Sequence, residues 1–167
     1  MEPPFVFWHY APVGAPSASP KTAMNKPLYD QDFFAWTQTQ ADALRRRSAN
    51  ELDWDNLVEE IDSMGRQQRS ELHNHFVILL QHLLKWRHQP ARRSRSWRLS
   101  IEEQRREIER LSRINPSLTP VLEVILNDAY AMARLRALRE TRLSERALPP
   151  SNPFTFDEAM SSDLSDD

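Results

Sequence analysis

The chain has no cysteine and only two glycines, Gly14 and Gly65, in 167 residues. The first absence excludes a disulfide scaffold, a thiolate metal site and a cysteine nucleophile. It also suits a reducing compartment. The second removes the phosphate loop and the dinucleotide fingerprint, because those backbones need glycine to approach a phosphate closely. No serine sits in Gly-x-Ser-x-Gly, and no His-Glu-x-x-His occurs. No apolar run approaches the ~18 residues of a membrane span, and Glu2 stands where a signal peptide would carry base. Lysine is scarce as well, at three against nineteen arginines. Net charge is −2, so nothing global favours a polyanion. These absences predict a cytoplasmic, non-membrane protein that holds no cofactor and is not an enzyme of nucleotide chemistry.

Proline is absent from residues 28–89 and crowded elsewhere, with six of twelve within residues 3–27. Residues 1–26 therefore read as a disordered leader. Met24 offers a second start, and residues 1–23 are expected to be an artefact of start-site assignment; an intact mass equal to the full chain overturns that. Residues 27–160 read as one helical domain and 161–167 as an acidic tail.

Between these ends the apolar spacing is helical. Asp30 is placed to cap a first helix with Phe33, Trp36, Gln40, Ala43 and Leu44 on one face, ending near 48–50. Asp53 is placed to cap a second. Its core series, Trp54, Leu57, Ile61, Met64, Gln68, Leu72, Phe76, Leu79, Leu83 and Trp86, steps by three or four throughout. One helix from about Trp54 to Arg87 follows, with Pro90 as its stop and Gly65 as a place to bend. Ser96 caps a third, with Ser100 and Glu103 as a rival capping box; Trp97, Ile101, Gln104, Ile108 and Leu111 face the core. A fourth, opened at Asn115 or Thr119, runs to about Thr141 with Leu122, Ile125, Ala129 and Met132 inward. Thr155 and Glu158 form a capping box for a last turn. Strand-like alternation appears nowhere. The expectation is an all-α compact bundle of about four main helices.

Charge is sorted along this frame. Residues 51–62 hold six carboxylates and no base, whereas the thirty residues 72–101 hold no carboxylate. The basic block contains Lys85, Arg87, Arg92, Arg93, Arg95 and Arg98, with Trp86 and Trp97 among them. Near the start of the third helix such guanidiniums suit phosphate, so nucleic acid is one candidate partner. Both tryptophans fall on core phase, however, and a buried indole cannot stack on a base. Pairing with the acidic block, or simple solvation, is the plainer role for the arginines.

A second polar set comprises Glu59, Glu60, His75, His82 and Gln104. With His82, Glu59 and Glu60 offer the ligand types of a metal-dependent hydrolase, yet the repeated Glu-x-x-His of di-iron bundles is absent. A structural network is therefore expected, with buried Gln104 bonded to Glu60 or His82.

Several stretches together resemble one bacterial family. They are Tyr29-Asp30-Gln31-Asp32-Phe33 with Trp36; Leu52-Asp53; Asn56-Leu57-Val58-Glu59-Glu60-Ile61; His82-Leu83-Leu84-Lys85-Trp86 with Gln89-Pro90; Ser96-Trp97 with Ile101 and Glu103-Gln104-Arg105; Pro116-Ser117-Leu118; and Tyr130. In this order, over about residues 28–160, they are similar to the family called domain of unknown function 29. The resemblance implies a compact all-helical fold with no assigned activity. The leading expectation is a module that binds an unknown protein partner, ahead of nucleic-acid binding through residues 85–98 and of the hydrolase.

Overall fold

The computed structural model describes residues 27–164. The leader, the alternative start and the last three residues of the acidic tail lie outside the described residues. Every regular element described is helical: α1 (Leu28–Gln31), α2 (Phe33–Arg46), α3 (Trp54–His88), α4 (Arg95–Ile114), α5 (Leu122–Thr141) and α6 (Phe156–Ser161), joined by short 3-10 turns. The four long ones are α2 to α5. None of the described helices is long and apolar enough to cross a membrane. Contacts divide the chain between Asp53 and Trp54 into two compact units.

In the first unit, α2 is capped by Asp32, whose carboxylate accepts the Ala35 N–H at 2.9 Å, two residues beyond the expected Asp30. Trp36, Gln40 and Ala43 are buried, while Phe33 and Leu44 stand about half exposed. The Trp36 indole donates to the Asp53 carboxylate at 3.1 Å, and the Gln40 carbonyl accepts the Asp53 N–H at 2.8 Å. Tyr29, Phe33 and Trp36 form an aromatic cluster with centroids 4.9–5.6 Å apart. The helix ends on Arg47 in the left-handed region (φ 56°), as α5 ends on Arg142 (φ 58°). Glycine usually takes that position. In a chain so poor in glycine, arginine does.

In the second unit, α3, α4 and α5 form an up-down-up bundle, with α6 closing on α3 and α5. Hydrogen bonds from His75 to Gln104 and from Asn115 to Gln68 set α4 antiparallel to α3. Arg69 with Asp128 and Gln81 with Glu140 set α5 parallel to it. The core holds Leu72, Phe76, Leu79, Leu80, Leu83 and Leu84 of α3 against Ile101, Ile108 and Leu111 of α4. From α5 it takes Leu122, Ile125, Leu126, Ala129, Tyr130, Ala133 and Ala137. Met132 is not among them; it lies on the exposed side, and Ala133 takes the inward place. Ser94, not Ser96, caps α4 by accepting the Trp97 N–H. A 3-10 turn over Pro116–Val121 precedes α5, so neither Asn115 nor Thr119 opens that helix directly. The Thr155–Glu158 capping box is present.

The length of α3 governs the architecture. Its 35 residues extend ~52 Å, whereas the 20 residues of α4 and of α5 extend ~30 Å. The end of α4 lies level with Gln68 and the first turns of α5 with Arg69. Before that level α3 has neither neighbour. Trp54, Ile61 and Met64, read from the sequence as core, are 57%, 64% and 65% exposed. Their phase is that of Leu72 and Phe76, but no helix of the bundle reaches them.

Candidate functional site

The six cations of the basic block meet different fates. Lys85 is nearly inaccessible, with 7% of its side chain exposed; its ammonium donates to Glu140 at 2.7 Å and lies 4.4 Å from the Trp97 ring centroid. Glu140 also accepts the Gln81 amide at 2.7 Å. The Lys85 hydrogen bond holds its carboxyl below the usual glutamate range, against a smaller opposing effect of burial. Lys85 is thus a packing group of the bundle. Arg93 donates to the Trp86 carbonyl at 3.2 Å, and its guanidinium stacks 5.1 Å from the Trp86 ring. Trp86 itself is buried beneath it. Arg87 stacks on Phe154 at 5.2 Å, and Arg98 approaches Glu102 at 3.9 Å. Arg92 and Arg95 are exposed and form no ion pair among the described residues.

The surface these groups leave has two hollows. One of about 240 Å³ is bounded by Leu83, Trp86, Arg87, Arg93, Phe154 and Glu158. A shallower one of about 100 Å³ is bounded by Trp86, Arg93, Ser94, Arg95 and Arg98. No acidic residue stands in the first turn of α4 to offset its positive end. Four guanidiniums, those of Arg87, Arg92, Arg95 and Arg98, therefore face solvent around this end of the bundle.

The second polar set does not converge. Glu59 and Glu60 sit in the part of α3 beyond the bundle, and His82 lies near its other end. On one continuous helix a separation of 22 residues is ~33 Å, so the hydrolase constellation cannot form within the chain. Among the described residues no three His, Asp or Glu side chains gather as metal ligands. His82 donates through Nδ1 to the Ile78 carbonyl at 2.9 Å, and burial pushes its pKa down. His75 donates through Nδ1 to the Gln104 carbonyl oxygen at 2.7 Å. Gln104 is buried, but its partner is His75 rather than Glu60 or His82. The reason is level: Gln104 on antiparallel α4 lies opposite the middle of α3. The Glu71 carboxylate goes to Arg110 at 3.5 Å.

The feature that sequence reasoning misplaced is the open half of α3. Trp54, Val58, Ile61 and Met64 are all more than half exposed and recur at helical spacing along one side. Gly65 continues the same stripe, and nothing lies within 4 Å of where its Cβ would stand. Two signals in the sequence point here: α3 is far longer than α4 or α5, and five of the six carboxylates of the acidic block flank or enter this segment.

No curated protein matches the chain, and no solved structure does. The family model described as "Domain of unknown function DUF29" matches residues 28–165, nearly all of the described residues. The boundaries agree with those of the motif series, and the chain belongs to the DUF29 family.

Proposed function

We propose that this protein is a non-catalytic, cytoplasmic module that binds another protein through the open face of α3. The observation that carries the reading is the exposure of Trp54, Val58, Ile61 and Met64 on one side of a helix that continues into the core. Together they offer on the order of 400 Å² of apolar surface, within the ~300–600 Å² of a monomer's largest patch, which is often a functional one. Covering it is worth roughly 10 kcal/mol gross, and association costs ~4–15 kcal/mol against that. A reversible contact follows, not an obligate one. The polar groups gathered inside the bundle, His75 with Gln104 and Lys85 with Glu140 and Gln81, are engaged in joining α3 to its neighbours. The cytoplasmic placement rests on the cysteine-free composition.

A photo-crosslinking residue in place of Val58, introduced in the native cell, tests the reading. A discrete protein adduct is expected there and not from the same residue at Glu109, on the exposed side of α4. Equal, diffuse labelling at both positions overturns it.

A second reading has its own support: the solvent-facing Arg87, Arg92, Arg95 and Arg98 around an α4 end with no acid in its first turn favour an anionic partner such as nucleic acid. Base stacking is withheld, because Trp86 lies beneath Arg93. Undetectable binding of short RNA and DNA at low salt, where counterion release favours it most, removes this reading.

A further inference from the structure

Charge along the open half of α3 is ordered. Asp55, Glu59, Glu60 and Asp62 come first, and Arg66 and Arg69 follow. On the helical wheel Asp55, Asp62 and Arg69 lie along one flank of the Trp54–Val58–Ile61–Gly65 stripe, with Glu59 and Arg66 just behind them. A flank that runs from negative to positive is self-complementary in one arrangement. When two copies of such a helix pair antiparallel, their two-fold axis brings the same flank of both together in reversed order.

We propose that the N-terminal half of α3 pairs antiparallel with α3 of a second copy of this chain, centred near Asp62. The proposal rests on the interaction reading above and names the occupant of that face. In this register Asp55 meets Arg69 of the second copy and Glu59 meets Arg66, each pair twice, while Asp62 faces its own counterpart at the axis; four opposite-charge pairs outweigh that one like pair. The Ile61 side chains interdigitate at the centre. Val58 packs over the bare backbone at Gly65 of the opposing helix, which supplies a reason for a mid-helix glycine that no neighbour in its own chain requires. Arg66 forms no ion pair among the described residues, and Arg69 reaches Asp128 only at 3.4 Å between two exposed side chains. Both are therefore available to a partner. The carboxylates at the start of each helix also lie against the positive end of their own helix. Two stripes of on the order of 400 Å² with their charged flanks reach the ~1,000 Å² at which a specific interface begins. Affinity near the micromolar range is expected.

Sedimentation equilibrium of the full chain over ~1–200 µM reads this directly. The mass is expected to rise from 19.6 kDa towards twice that value. Ile61→Glu should stay at one chain mass with an unchanged melting temperature, because Ile61 contributes nothing to the core. The double variants Arg66→Glu/Arg69→Glu and Asp55→Arg/Glu59→Arg should each weaken association at least tenfold, and an equimolar mixture should restore it as a mixed dimer. Circular dichroism of each variant checks that the helices remain. A wild-type mass of one chain at the highest concentration overturns the proposal, as does a mixture that fails to restore association. A crosslink from position 58 to a different protein, with no self-association, overturns this inference and leaves the interaction reading standing. No crosslink and no self-association remove both.

Discussion

The two halves of α3 carry one apolar phase and meet opposite surroundings. From Leu72 to Trp86 the stripe is enclosed by α4, α5 and α6, and its side chains are almost inaccessible. From Trp54 to Met64 the same stripe faces outward, with Leu57 alone half-buried. Side-chain chemistry does not separate them, since both halves hold aliphatic residues and a tryptophan. The difference is reach: α4 and α5 are each fifteen residues shorter than α3. Apolar periodicity thus states which side of a helix wants cover. It does not state that the chain supplies the cover.

Substitutions along α3 test that contrast most sharply. Phe76→Ala should destabilise the chain by about 3–5 kcal/mol in denaturant unfolding, since the ring is fully buried. If it costs no more than a surface change, the buried half is misread. Next in size, Gln104→Leu leaves the His75 N–H without its acceptor and should cost about 1–3 kcal/mol, with self-association unchanged. Loss of association without loss of stability would move Gln104 from packing to binding. Gly65→Ala should stabilise the monomer by roughly 0.5–1 kcal/mol, because its Cβ enters open space. The same change should weaken the dimer by crowding Val58 of the second copy. Ile61→Ser in the open half should alter monomer stability by less than ~0.5 kcal/mol; a larger loss would mean the stripe is covered within its own chain.

The smallest effect expected is in the acid limb. Glu140 has a folded pKa below its ordinary 4.5, chiefly through the Lys85 hydrogen bond. Its contribution is complete above that ordinary value and declines as pH falls through the folded one. Glu140→Gln should flatten the fall of stability below about pH 4.5, and only slightly, because the carboxylate is half exposed. His82, held neutral by burial, adds loss of the same sign starting higher, as pH drops below 6.5. Unfolding curves from pH 7 to 3 on Glu140→Gln and on His82→Gln separate the contributions.

Much of the fold was legible. Three- and four-residue spacing identified α2 to α5, Pro90 marked where α3 must stop, and the Thr155–Glu158 box opened α6 as read. Caps were less legible, because this chain offers neighbouring candidates: Asp30 beside Asp32, and Ser96 beside Ser94. Which one caps depends on where the backbone leaves the helical region, and side-chain type alone carries no signal for that. The site was hardest. Lys85 reads as a surface cation in a basic run, but it sits among core positions and pairs with Glu140, 55 residues away. Glu60 and His82 read as one polar set only until the continuity of α3 sets them ~33 Å apart.

What the sequence determined by itself is therefore local. An all-helical chain, the phase of each helix and the absence of cofactor motifs all follow from spacing and composition, which act within a few residues. Tertiary structure alone decided how far along α3 that phase is covered, which cations were withdrawn from the surface, and which polar groups meet. Those outcomes depend on the relative lengths and levels of packed helices, quantities that exist only once distant segments lie side by side.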